Sequence, residues 1–361
     1  MQLFIGTYTE DIKFGTGQIL HGKGRGIYVL DLDPQTLTFS DPILAVETRN
    51  PSYLCFSQDK KVLYSTNELK FGYGDEGSKA SSFRLKTTPP FLEYLNSEST
   101  QGEDSCYITV LNNSLIVTNY MSGNIAVLPL AENGSILPIR QIIQHVGSGP
   151  HPLRQRSAHV HSVIRDPLLP LILIPDLGLD LLAAYDYTDP FESLVRNQQY
   201  DLHLDPGDGP RHAVFTKDGL TIFVINELSN TISVFSRETK NHPFTLQQRI
   251  GTREQIEGES SAADIHLLPS ERFLYASNRG ADTIACFKVD ATSKEVSLVQ
   301  EVASGGRTPR SFSVSNDGKF LVVCNQDSDN VVSFKVDQAT GFITKQDTVA
   351  VPTPVCALLR E

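Results

Sequence analysis

Arg211-His-Ala-Val-Phe215, the turn Lys217-Asp218-Gly219, Thr221-Ile-Phe-Val-Ile-Asn226 and Thr231-Ile-Ser-Val-Phe235 follow one another with almost nothing between them. Short runs rich in Val, Ile and Phe, punctuated by Asp-Gly and Asn, read as consecutive strands of an antiparallel meander. A further run from Phe244 to Arg249 makes a four-strand unit. The second strand of that unit, an apolar run ending in Asn or Asp, recurs as Leu63-Tyr-Ser-Thr-Asn67, Leu115-Ile-Val-Thr-Asn119, Ile172-Leu-Ile-Pro-Asp176, Leu274-Tyr-Ala-Ser-Asn278 and Leu321-Val-Val-Cys-Asn325, with Leu3-Phe-Ile-Gly-Thr7 as the first copy. Counted from Thr7, the successive spacings are 60, 52, 57, 50, 52 and 47 residues. That is close to the period of a propeller blade, and the strands are too β-rich for a helical solenoid. The sequence therefore predicts an all-β fold: one seven-bladed β-propeller over residues 1–361, with four antiparallel strands per blade and no helix required.

The first copy starts at its second strand, whereas the chain ends in Pro354-Val-Cys-Ala-Leu-Leu359, a first strand with no blade of its own. This C-terminal strand is expected to complete the N-terminal blade, closing the ring so that no sheet edge is left open.

Hydrophobic residues make up 40% and charged residues 20%, enough apolar material for a sizeable core. Lys and Arg number 31 against 42 Asp and Glu, a net charge of -11, which excludes a nucleic-acid partner held on a broad basic surface. Any anionic ligand must be held locally. The longest apolar stretch, 168–174, is broken by Pro170 and followed by Pro175-Asp176, too short to span a membrane. The N-terminus reads directly as strand without a basic leader, so a cytoplasmic location is the default expectation. Five widely spaced cysteines without a CxxC pair argue against a disulfide framework or a zinc site. A propeller closes on itself, which makes a monomer the default.

In each blade the start of strand one and the end of strand two share a face. Folding the hairpin about Asp218 sets Arg211 beside Asn226 and Glu227; folding about Asp317-Gly318 sets Arg310 against Asn325; folding about Leu168 sets His159 and His161 against Asp176. The recurrent Asn or Asp is expected to cap its turn by bonding backbone two residues on. A single ligand breaks a sevenfold pattern, so the candidates are rim residues that do not recur: His159, His161, Arg211, His212, Glu227, Arg279 and Arg310. Their concentration in blades four to seven predicts an off-centre site. His159 and His161, at i and i+2, are expected to share a ligand-facing side. The three arginines suit an anion clamp, although salt bridges between blades would use the same residues. Glu227 is matched by Glu68 in a second Asn-Glu-Leu triplet, so structural and functional roles are evenly balanced. His266 lies deeper and reads as core; Cys106 reaches the rim without an evident partner.

Three insertions, 10–26, 70–82 and 145–157, are candidate lids on this face. The first carries Gly22-Lys-Gly-Arg-Gly26, which is neither GxGxxG nor the start of a helix, so dinucleotide and P-loop readings fail. GxSxG, HExxH and an EF-hand loop are absent. Acid/base chemistry with anion binding remains.

Gly6-Thr-Tyr-Thr9, Asn50-Pro-Ser-Tyr53, Arg154-Gln155 with His159-Val-His161-Ser162, Pro175-Asp-Leu-Gly178, Gly209-Pro-Arg-His212, Ile225-Asn-Glu-Leu228, Ala263-Asp-Ile-His266, Ser277-Asn-Arg-Gly280, Thr308-Pro-Arg310 and Asn325-Gln-Asp327, in this order and spacing, are specific. Nearly the whole chain resembles the lactonase family of seven-bladed propellers, which groups the propeller-type 6-phosphogluconolactonases with the fungal carboxy-cis,cis-muconate cyclases. The resemblance implies a site at one mouth of the propeller that needs neither metal nor cofactor. The family's histidine, arginine and glutamate fall on His161 or His159, Arg211, Glu227 and Arg279; Arg154, Gln155, His212, Asp264, Arg310 and Gln326 are expected to contact the substrate. One departure is Ser105-Cys-Tyr107, where the family often has Pro-Cys-His. The expected substrate is a small anionic lactone or phosphosugar, foremost 6-phospho-D-glucono-1,5-lactone. Muconate cyclisation and a purely binding propeller are the alternatives. Lactone opening needs a base, Glu227 or His161, donors to the carbonyl oxygen, Arg211 and Arg279, and a phosphate contact, Arg310 or Arg154.

Overall fold

The computed structural model describes residues 1–13, 19–72, 75–188, 193–254 and 258–361. The seven apolar runs that define the repeat are each the second strand of a four-stranded antiparallel unit: Gln2–Thr7, Val62–Asn67, Ser114–Asn119, Leu171–Asp176, Thr221–Asn226, Phe273–Arg279 and Phe320–Asn325. Each is flanked by a first strand on the channel side and by third and fourth strands outward. The expected closure is present: Pro354–Arg360 pairs with Gln2–Thr7, from Gln2 opposite Arg360 to Gly6 opposite Cys356. Blade four adds a short extra strand, Leu202–His203, on its third strand Leu181–Tyr187. The only helical elements among the described residues are two 3-10 turns, Gln198–Tyr200 and Gln326–Ser328.

The core is not a single centre but a seam between each pair of neighbouring blades. Ile116 and Ile125 of blade three meet Ile172 and Ile174 of blade four. Phe223 and Ile232 of blade five meet Leu274 and Ala276 of blade six. Leu3 and Ile5 of blade one meet Val322 and Val331 of blade seven across the closure. Fully burying one such side chain contributes roughly 1.5–3 kcal/mol, so stability accumulates seam by seam. Gly6 is required where blade one meets the 50–53 turn, since a Cβ there would lie 2.1 Å from the Pro51 carbonyl oxygen.

The recurrent Asn does not bond backbone two residues on. Asn226 donates to the Thr231 and Ser233 hydroxyls of its own blade, whereas in the other Asn copies the side-chain amide donates to a carbonyl just beyond the fourth strand of the preceding blade: Asn67 to Arg49, Asn119 to Thr100, Asn278 to Thr252 and Asn325 to Ser304. It ties blades together because it stands where two seams converge. Only Asp176 makes the expected bond two residues on, from the Gly178 amide at 3.0 Å. Blade four carries Asp rather than Asn because its partners are donors: the His159 amide at 2.7 Å, Gly178, and His145 Nδ1 at 2.7 Å. Asn325→Ala leaves the Ser304 carbonyl unpaired between blades and is expected to cost about 1 kcal/mol in urea unfolding; an unchanged midpoint would show that the tie carries no net energy.

Candidate active site

A bulge in the first strand aims the site residues. In blade five Pro210 pairs with Asn226 and His212 with Ile225, leaving Arg211 as the extra residue; in blade seven Pro309 pairs with Asn325 and Ser311 with Cys324, leaving Arg310. Cys106 is the extra residue in blade three. Straight hairpin folding therefore misplaces Arg211 and Arg310 by one position. The inserted residue turns its side chain off the ladder.

The mouth where these bulges lie holds a cavity of about 840 Å³. His161, Glu227, Arg279, Arg154, Arg310 and Gln326 line it. Glu227, only 4% exposed, is ion-paired with three guanidinium groups: it accepts a hydrogen bond from Arg154 at 2.5 Å, with Arg211 Nε at 3.1 Å and Arg279 at 2.9 Å in charge contact. Burial alone would raise its carboxyl, but the charges of Arg279, Arg154 and Arg211 outweigh it and hold Glu227 well below the usual carboxylate range. Burial brings Arg279 down to about 10, against the pull of Glu227, so it still carries its proton at neutral pH. The same carboxylate raises the less buried Arg154, whose Nη2 also donates to the Tyr120 hydroxyl at 3.1 Å.

Arg310 is different. It has no carboxylate partner among the described residues and lies over the Tyr8 ring, 5.4 Å from its centroid. The Tyr8 hydroxyl donates to Glu68, lying 3.0 Å from each of its carboxylate oxygens. Tyr8 is fully buried, which pushes its hydroxyl well above its ordinary range and keeps it a donor.

His161 is unpartnered: its buried Nδ1 has no hydrogen-bond partner. Burial, then repulsion from Arg211 and His212, holds its pKa well below 6.5, so the ring is neutral at physiological pH. His159 does not share this placement. The 157–163 segment is not regular strand apart from a single bridge between Val160 and Asp176, so the i, i+2 rule does not apply. His159 Nδ1 instead meets the Tyr120 carbonyl at 2.9 Å and its ring stacks on Tyr120, centroids 4.5 Å apart.

Other expected contacts turn out to be braces. Arg211 stands behind Glu227, buried, and also donates to the Ala263 carbonyl. Gln155 is fully buried and ties the 145–157 insertion down, donating to the Leu177 carbonyl and Asp180 and accepting from the His151 amide. Asp264 accepts from the Phe312 amide at 3.0 Å and pairs with His212 Nδ1 at 2.9 Å, while His266 lies 3.3 Å away. His266, expected in the core, is in fact 37% exposed at its side chain. Burial raises the Cys106 thiol to about 12, which leaves it unreactive.

The site is also less off-centre than expected. Glu68, Asp104, Cys106 and Tyr120, from blades two and three, line the same cavity as the arginines. Tyr120 and Asp104 carry no distinguishing sequence signal, whereas Tyr8 lies in the Gly6-Thr-Tyr-Thr9 segment and the repeated Asn-Glu-Leu triplet marks both buried glutamates. Of the insertions, the first contributes a hairpin of Asp11–Lys13 and Ile19–His21, with Ile12, Leu20 and Lys23 on the cavity, and the third contributes His151, Leu153 and Arg154. Residues 14–18 of the first and 73–74 of the second lie outside the described residues. No group of three or more His, Cys, Asp or Glu residues among the described ones could hold a metal ion. No helix among them is long and apolar enough to cross a membrane.

The family model described as "Lactonase, 7-bladed beta-propeller" matches residues 2–359. The chain is 30% identical over 357 residues to a 6-phosphogluconolactonase of Bacillus subtilis, spanning 98% of this chain and 96% of the relative. A 6-phosphogluconolactonase of Formosa agariphila is 30% identical over 353 residues, 95% of this chain and 94% of that one. Among solved structures, a putative 6-phosphogluconolactonase of Bacteroides fragilis superposes with a TM-score of 0.90 at 32% identity, covering 100% of this chain and 98% of that chain. A periplasmic gluconolactonase of Pseudomonas aeruginosa does so with a TM-score of 0.89 at 32% identity, covering 99% and 98%.

Proposed function

Because the chain belongs to the seven-bladed β-propeller lactonase family and is a lactone hydrolase, we propose that its substrate is 6-phospho-D-glucono-1,5-lactone, opened by water to 6-phosphogluconate. The observation that carries this reading is a neutral, unpartnered imidazole, His161, in a cavity where one of four neighbouring guanidinium groups, Arg310, has no carboxylate partner. Glu227 is a poor base, since a carboxylate clamped by three guanidinium groups resists a proton. His161 takes the proton of the attacking water. Arg279 and Arg154, lining the cavity, stabilise the charge that develops on the carbonyl oxygen, while buried Arg211 fixes Glu227 behind them. Arg310 takes the phosphate.

Five unbridged cysteines support a cytoplasmic site of action.

The test is pH-stat acid release from freshly generated 6-phosphogluconolactone, with the spontaneous rate subtracted and D-glucono-1,5-lactone in parallel. Wild type should exceed background on the phosphorylated lactone. Arg310→Met should raise KM for that substrate about 10- to 100-fold, the worth of a charge-assisted contact, and leave the unphosphorylated lactone nearly unchanged. Equal losses on both substrates would remove Arg310 from the phosphate, and a wild-type rate at background would remove the phosphosugar.

A further inference from the structure

Asp104 lines the same cavity from the connection that leads into blade three, and its backbone is locked. Its amide donates to the Leu69 carbonyl at 2.9 Å and its carbonyl accepts from the Tyr120 amide at 2.9 Å, with φ at +53°, the left-handed region. One carboxylate oxygen, Oδ2, meets Lys70 Nζ at 2.8 Å. The other, Oδ1, is buried and has no partner, in a residue only 8% exposed. An ionised oxygen left so is costly, whereas a protonated one is a donor awaiting an acceptor.

We propose that Asp104 is a further catalytic residue, the proton donor to the departing ring oxygen of the lactone, with Lys70 setting its proton affinity. This rests on the lactone-hydrolase reading of the cavity. As the water oxygen bonds to the carbonyl carbon, its proton passes to His161. The bond from that carbon to the ring oxygen then breaks, the electron pair leaves on the ring oxygen, and the Asp104 proton converts it to a hydroxyl. Asp104 regains a proton from solvent and His161 releases its own, so one water is consumed and one acid released. The charged and titratable groups facing Asp104 are Glu68, Lys70, Glu103 and Tyr8. Burial, then Glu68, pushes its carboxyl up to about 7, with Lys70 opposing. An acid poised there matches the task, because an aliphatic alkoxide leaves poorly without a proton. A phenolate, whose conjugate acid has a pKa of about 10, leaves without help.

The experiment compares 6-phosphogluconolactone with dihydrocoumarin, a lactone whose leaving group is a phenolate, over pH 5 to 9. Asp104→Asn should lower kcat/KM for the aliphatic lactone about 10²-fold while dihydrocoumarin stays within a few-fold of wild type. The wild-type profile should fall as pH rises through about 7, where Asp104 loses its proton, and Asp104→Asn should lack that limb. Lys70→Met removes a cation, so the limb should move to higher pH, a readout that holds even if Asp104→Asn folds poorly or dihydrocoumarin is not turned over. Equal losses on both lactones, or a limb that neither variant moves, would overturn the proposal. Wild type inactive on every lactone would instead overturn the reading on which it rests.

Discussion

Glu227→Gln is expected to lose at least about 10²- to 10³-fold in lactone opening and about 3–5 kcal/mol of stability together. The substitution is nearly isosteric, so packing is not the cause. Among the described residues Glu227 is the only anion contacting Arg154, Arg211 and Arg279, whose side chains are 22%, 4% and 14% exposed. Without it three guanidinium groups face one another and Arg310 in a buried setting, with no carboxylate in contact with them among the described residues. The catalytic loss follows because Arg279 and Arg154 are aimed by this carboxylate. The sign of the pH effect is fixed as well. Glu227 is held below its unfolded pKa, so its stabilisation is present above the ordinary carboxylate range and fades as pH falls through the lowered value. Thermal melts should therefore show the wild-type advantage over Glu227→Gln shrinking only at pH well below the ordinary carboxylate range. A variant with wild-type melting and turnover would mean that the arginines are organised by something else.

His161→Ala should show the opposite balance: a drop of about 10²- to 10⁴-fold in kcat/KM with little change in melting temperature. Its Nδ1 bonds to nothing, and its ring meets Tyr120 and His212 only edge-on, with centroids 5.7 and 5.2 Å away. Removing it therefore breaks no hydrogen bond. Because burial, Arg211 and His212 depress its pKa, the imidazole is already a free base at neutral pH. The acid limb of the wild-type kcat/KM profile should lie well below 6.5 and vanish in the variant. Full turnover in His161→Ala would take the imidazole out of the proton path.

The two variants separate roles that resemblance leaves merged. Glu227 and His161 are both admissible bases when only residue types are known. In the proposed mechanism the ion-pair geometry divides them, because a saturated carboxylate is suited to organising charge and an unpaired neutral imidazole to accepting a proton.

The blade period, the number of blades and the strand that closes the ring are determined by the sequence alone. Each depends on local patterning: apolar runs ending in Asn or Asp every fifty or so residues, and a chain that starts mid-blade and ends on an orphan strand. The membership of Arg211, Glu227, Arg279, Arg310 and His161 in one mouth follows from the same periodicity. What tertiary structure decided is what each of them touches. An extra residue in a strand, visible only once the pairing partner is in place, turns Arg211 behind Glu227 and leaves Arg310 over Tyr8. The irregular 157–163 segment separates His161 from His159, and the repeated Asn, Asn226 excepted, binds the preceding blade. Arg154 and Glu227 meet although 73 positions apart, and the proton affinities of Asp104, His161 and Glu227 are sums over burial and charges drawn from several blades. Strand periodicity is a property of neighbours in the chain, whereas charge state and partner choice are properties of neighbours in space.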